Sequence, residues 1–174
     1  MKRQFNVDKF HKAAVVMTEI HNMVHRGYLF SASHIFTGVI DTASADLLIV
    51  VGPAQGAHIR LGLSTTGQGI GFFYSEPTVT VPGTAVTPSN RNGFSSRTLS
   101  GITITHTPTI TDVGTETIAT VVPGGEKVRA VGASEEGFSE WILAPGTYLL
   151  RFTNNAGTAV NVSLELELYQ PDSR

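Results

Sequence analysis

The segment Pro77-Thr78-Val79-Thr80-Val81-Pro82-Gly83-Thr84 returns as Pro108-Thr109-Ile110-Thr111-Asp112-Val113-Gly114-Thr115, so one pattern, Pro-Thr-apolar-Thr-x-x-Gly-Thr, occurs twice. Proline fixes φ and withholds a backbone donor. Thr alternating with Val or Ile favours extended chain, and a glycine six places on permits a turn that other residues resist. Both copies predict strand ends and loops. They read as paired rim loops that lead into neighbouring strands of one sheet system and are candidates for subunit contact. The shared pattern carries no acid, metal ligand or activated nucleophile, which points to architecture and away from catalysis.

The rest of the chain agrees with that direction. Short runs rich in β-branched and aromatic residues, bounded by Gly, Pro, Ser or Asn, recur at 34–40, 46–51, 58–63, 70–74 and 98–105, then at 116–122, 127–131, 139–143, 148–153 and 159–169. Ten or so short strands without a long helix predict an all-β fold, a jelly-roll-like antiparallel β-sandwich. In the last run Val160, Val162, Leu164, Leu166 and Leu168 alternate with Asn161, Ser163, Glu165, Glu167 and Tyr169, one row for the core and one for water or a partner. Asn154-Asn155-Ala156-Gly157 reads as the turn of a C-terminal hairpin, and Pro171 as its end. The stretch 13–24 fits a helix with Val16, Ile20 and Val24 on one stripe, or a strand; the Arg26-Gly27 turn favours a strand for its latter half.

Residues 1–12 form a basic N-terminal arm, in which Lys2, Arg3, Lys9 and Lys12 face the single acid Asp8; residues 13–174 form a single β-sandwich domain. A chain of 174 residues hides about two-thirds of its unfolded surface on folding and needs no staples. Cysteine is absent, so the fold stands in a reducing compartment on packing alone. Charged residues make up 15% of the chain and the net charge is −2, against a nucleic-acid surface and against intrinsic disorder. No apolar run is long enough for a signal peptide or a membrane span. With 41% hydrophobic residues and so few charges, some face is expected to meet a partner.

Sites of chemistry are sparse. His21 and His25 have the i, i+4 spacing of two zinc ligands on a helix, with His34 or Glu19 as conceivable thirds, but Asn22-Met23-Val24 lacks the glutamate of a metalloprotease motif. On a strand the pair stands about 13 Å apart. They are read as surface histidines, with no metal and no cofactor expected. Gly67, Gly69 and Gly71 alternate without the spacing of a dinucleotide loop, and are read as a turn that lets Phe72 or Phe73 pack closely. Glu76, Glu135, Glu136 and Glu140 could supply a glycosidase pair, yet any chain of this length offers such pairs, and no Gly-x-Ser-x-Gly elbow exists. Asn161-Val162-Ser163 matches a glycosylation pattern that means little without a secretory signal. Trp141, the single tryptophan, reads as a core residue or as an anchor for subunit contact. The expectation is a protein that is not an enzyme.

Taken in order, Glu76-Pro77-Thr78-Val79-Thr80, Gly83-Thr84-Ala85-Val86-Thr87-Pro88, Asn90-Arg91-Asn92, Pro108-Thr109-Ile110-Thr111, Gly114-Thr115, Glu140-Trp141-Ile142-Leu143 and the run from Tyr148 to Asn154 resemble small β-rich structural proteins of tailed bacteriophage virions, the capsid decoration or cement proteins. The resemblance extends from about Thr18 to Tyr169. It implies a jelly-roll subunit, commonly a homotrimer, assembled in the host cytoplasm onto the outer capsid surface, where it clamps the major capsid protein. It brings no catalytic residues. Lys2, Arg3, Lys9, Lys12, Asn90, Arg91, Asn92 and Trp141 are the expected capsid or subunit contacts. The competing expectation is a receptor- or glycan-binding head-fibre or tail module whose tools are exposed aromatics such as Phe94 and Phe138.

Overall fold

Alternating apolar rows dominate the structure, a computed structural model that describes residues 5–7, 14–16, 19–53, 56–123 and 140–169, of which 5–7, 14–16 and 19 are placed by backbone alone. Its elements in chain order are β1 (Phe5–Val7), β2 (Ala14–Val16), α1 (Glu19–His25), β3 (Leu29–Val39), β4 (Ser44–Val51), β5 (Ala57–Thr65), β6 (Gly69–Ser75), β7 (Thr78–Val81), β8 (Thr84–Ala85), β9 (Ser89–Asn90), β10 (Ile102–His106), β11 (Thr109–Asp112), β12 (Thr115–Val122), β13 (Trp141–Leu143), β14 (Gly146–Asn154) and β15 (Val160–Tyr169). A six-stranded sheet runs β12-β6-β14-β4-β10-β8 and a five-stranded sheet runs β13-β5-β15-β3-β9. All described pairings are antiparallel.

Eight of these strands form a jelly roll. β3, β4, β5 and β6, then β12, β13, β14 and β15, fall alternately into the two sheets, giving β3-β15-β5-β13 on one side and β4-β14-β6-β12 on the other. The expected all-β sandwich is therefore the fold observed. Between the sheets lie Leu47, Ile49, Ile59, Leu63, Phe73, Leu150 and Phe152, with Val162, Leu164, Leu166 and Leu168 from the alternating final strand. Fully burying one such side chain contributes about 1.5–3 kcal/mol before entropy.

The two copies of the repeat lie in a long excursion between β6 and β12. They are not rim loops leading into neighbouring strands: Thr78–Val81 and Thr109–Asp112 pair with each other as a two-stranded ribbon. The first copy leaves β6 and ends in β8 at the far edge of the six-stranded sheet; the second leaves β10 and ends in β12 at the opposite edge. Since the inner face is filled by core, both cross over the outer face, above the β14–β4 pair. One crosswise row of outward-facing residues, Tyr74, Leu149, Leu48 and Thr105, is accordingly buried. The Thr105 hydroxyl donates to the Pro82 carbonyl of the ribbon. Burial, reinforced by the nearby Glu116 charge, pushes the Tyr74 phenol up.

The copies are related by an approximate dyad down to single bonds. Thr80 Oγ1 donates to the Thr109 carbonyl at 3.2 Å, and Thr111 Oγ1 to the Thr78 carbonyl at 3.3 Å. The residue before each proline has positive φ, Glu76 at 59° and Thr107 at 54°. Thr84 pairs with His106, and Thr115 with Ser75.

Three further expectations change. Asn154-Asn155-Ala156-Gly157 is no hairpin turn, because β14 belongs to the six-stranded sheet and β15 to the five-stranded one; it carries the chain from sheet to sheet. The latter half of 13–24 is helix α1, preceded by strand β2. Arg26-Gly27 closes that helix: the Tyr28 N–H reaches the Met23 carbonyl at 2.9 Å and the Gly27 N–H the Val24 carbonyl at 3.0 Å, the paired bonds of a Schellman cap. Finally, β10 starts at Ile102, not at 98. The run expected at 127–131 lies outside the described residues.

Candidate functional site

The final strand turns its second row, Asn161, Ser163, Glu165, Glu167 and Tyr169, to the outer face of the five-stranded sheet, where β5 sets His58 and Arg60 beside it. Register does the selecting here: Tyr169 is opposite His58 and Glu167 is opposite Arg60. Glu140, just before β13, comes over the same end. Its Oε1 accepts from His58 Nδ1 at 2.8 Å and from the Tyr169 hydroxyl, while the His58 and Tyr169 rings stack with centroids 4.4 Å apart. Burial alone would raise the Glu140 carboxyl, but the bonds from Tyr169 and His58 and the His58 and Arg60 charges outweigh it and hold the group below its usual value.

The network continues across the sheet. Arg60 Nη1 lies 3.6 Å from Glu167, whose other oxygen accepts from Arg91. Arg91 opens a loop held on the helix–strand junction: the Asn90 amide donates to the Gly27 carbonyl at 2.9 Å and the Asn92 amide to the His25 carbonyl at 2.9 Å. Asn90 Oδ1 accepts from the Asn92 N–H, and Asn92 Oδ1 from the Phe94 N–H. Arg26 and Arg97 lie over the Tyr28 ring beside it, at 4.7 and 4.0 Å. At the tip Phe94 is 104% exposed. Asn90, Arg91 and Asn92 are thus the internal frame of this loop, and Phe94 is what the frame displays.

Chemically, this face is a platform of groups paired with one another. A carboxylate-oriented imidazole is the geometry of a general base, yet Glu140 divides itself between two donors and the His58 ring lies stacked on a phenol. Among the described residues no group of three or more His, Cys, Asp or Glu could hold a metal ion. Of the carboxylates considered for hydrolysis, Glu76 precedes the first repeat copy, Glu140 sits in this network, and Glu135 and Glu136 lie outside the described residues. Gly67 and Gly69 are packing positions: a Cβ on Gly69 would stand 2.2 Å from the Phe152 ring, so Phe152, not Phe72 or Phe73, is the close neighbour.

Trp141 is half-buried and packed against the core beside Phe73, with ring centroids 5.9 Å apart; its buried Nε1 finds no partner among the described residues. Lys2, Arg3, Lys9, Lys12 and Phe138 lie outside the described residues. His58, Arg60, Glu167 and Tyr169 carry no motif that marks them in the sequence as a site; strand pairing brings them together. Alternation had marked Glu167 and Tyr169 as outward-facing, but their partners on β5 follow only from strand pairing. A scan against protein-family models, a search of curated proteins and a search of solved structures each found no match.

Proposed function

We propose that this chain is a non-enzymatic virion structural protein that sits as a homotrimer on the outer surface of a tailed-phage capsid and bridges major capsid subunits. The observation that carries this reading is the contrast on the molecule's surface. Charged groups on the outer face of the five-stranded sheet are bonded to one another, while large apolar side chains on the same face stand in water: Ile142 on β13, opposite His58, is 72% exposed and Ile35 on β3, opposite Ser163, is 64%. A face whose polar groups are already satisfied loses little when a partner covers it, and each apolar side chain gains. The sequence resemblance to decoration proteins supplies the kind of partner. A protein that binds only the assembled shell shifts the equilibrium away from rupture, and three linked contacts add avidity without new chemistry.

Mixing the purified protein with undecorated heads tests this reading. Saturable uptake with raised resistance of the heads to heat is expected, together with a trimeric mass in sedimentation; absence of uptake would sink it. The basic arm is assigned to the shell contact, so deletion of residues 1–12 is expected to lower occupancy.

Phe94 favours a second reading, a glycan- or receptor-binding head-fibre or tail module. A fully exposed aromatic on a loop braced by two asparagines is a ready platform for stacking on a sugar ring. Binding on a glycan array that vanishes in Phe94→Ala, with no uptake onto heads, would select this reading over the first.

A further inference from the structure

α1 changes the meaning of the histidine pair. On a strand His21 and His25 stand far apart, whereas the helix sets their Nε2 atoms 2.9 Å from each other, with ring centroids 4.5 Å apart and planes at 63°. Both residues are exposed. We propose that His21 and His25 form a bidentate site for a divalent transition-metal ion that prefers tetragonal geometry, copper(II) or nickel(II).

The separation is compatible with cis positions on one ion, and imidazole nitrogens hold copper(II) and nickel(II) at least as well as zinc. Two imidazole nitrogens about 2.05 Å from one ion are about 2.9 Å apart when they bind at a right angle, and about 3.3 Å apart at the tetrahedral angle that zinc favours. The observed separation matches cis positions of a square-planar or octahedral ion. Among the described residues no third ligand joins the pair. Binding needs a lone pair on each Nε2: the ring that donates to the other shifts its hydrogen to Nδ1, and the ion takes the place of the shared proton.

An ion at this site also acts on its surroundings. α1 has seven residues, too few to persist without tertiary contacts. A metal bridging i and i+4 locks its last turn, whose His25 carbonyl accepts from Asn92 and so carries the loop that displays Phe94. The site therefore sits beneath the second contact surface described above, and its existence does not depend on which partner that surface meets.

The full-length protein, stripped of metal, is titrated at neutral pH with copper(II), nickel(II) and zinc(II) salts, followed by calorimetry and by electron paramagnetic resonance for copper. One ion per chain is expected, with two equatorial imidazole nitrogens in the copper spectrum and nickel bound at least as tightly as zinc. His25→Ala is expected to weaken copper binding by about tenfold or more, since one of two ligands is gone. Nickel is expected to raise the thermal midpoint of the wild type but not of the His21→Ala/His25→Ala variant. If the alanine variants lose the β-sheet circular dichroism, His25→Gln serves in their place. The proposal is overturned if no one-to-one binding occurs or if the double variant binds as the wild type does. Zinc bound more than tenfold tighter than nickel overturns the right-angle geometry.

Discussion

Two residues show how much a single side chain decides. Asn154 is fully buried; its amide donates to the Val39 carbonyl at 2.8 Å and the Thr158 carbonyl at 2.7 Å, and its Oδ1 accepts from the Ala156 N–H at 2.8 Å. It fixes the crossing between the sheets, and Asn154→Leu strands two carbonyls and a donor. A loss of about 3 kcal/mol is expected in urea unfolding, and a loss below about 1 kcal/mol would deny Asn154 that role. His34 on β3 and His106 on β10 stack between the sheets with centroids 3.6 Å apart and planes 8° from parallel. Burial, and then the His106 charge, lower the His34 pKa from 6.5. A folded value below the unfolded one means that the unfolded chain takes up the proton more readily, so the stability tied to neutral His34 is complete above pH 6.5 and is lost as pH falls through the lower folded value. Urea midpoints measured from pH 7.5 to 5 are expected to fall more steeply in the wild type than in His34→Phe, and equal slopes would exclude this role. The sequence showed both histidines but gave no sign of the stack, because their strands belong to different sheets.

At the scale of the element, the ribbon makes a prediction in two halves. Gly83 at φ 89° and Gly114 at φ 81° occupy equivalent turns, and a Cβ at either would stand 2.3 Å from the His106 carbonyl oxygen or 2.2 Å from that of Ser75. Gly83→Ala and Gly114→Ala are each expected to cost roughly 2 kcal/mol or more, through strain and the collision together. Similar drops in thermal midpoint would bear out the dyad, whereas one neutral variant would show that the two turns are not equivalent. The repeat itself was plain in the sequence, as was its extended character. That the copies pair with each other and cross the sheet was not, since antiparallel pairing depends on residues brought together by the rest of the fold. The sequence leaves helix and strand open over 13–24, and the Arg-Gly pair favours the wrong one for a nearer cause: a Schellman cap and a strand-to-strand turn use the same two residues, and only the backbone bonds to Met23 and Val24 tell them apart.

For the molecule as a whole, the final strand is the test. Leu164 is 0% exposed and Leu166 is 1% exposed in the middle of the five-stranded sheet, so Leu164→Asp places a carboxylate in the shared core of both sheets. A cost above about 5 kcal/mol is expected, comparable with the stability of an entire domain. Circular dichroism of an unfolded chain is the expected outcome, and a folded Leu164→Asp protein would refute the assignment of this row to the core. Alternation along β15 was enough, without coordinates, to fix which row is buried, because side chains of a strand point to opposite faces with period two. The same local rule sets strand existence, turn positions and the all-β class. Which strands become neighbours is a different matter: the turn after Asn154 would suit a hairpin as well as a passage between sheets, and His58 meets Tyr169 and Glu140 only because β5, β15 and β13 lie side by side. Local sequence determined the strands and their two faces; partner choice, the crossed ribbon and the paired charges on the outer face were decided by the tertiary structure, since they depend on burying one common core between two sheets.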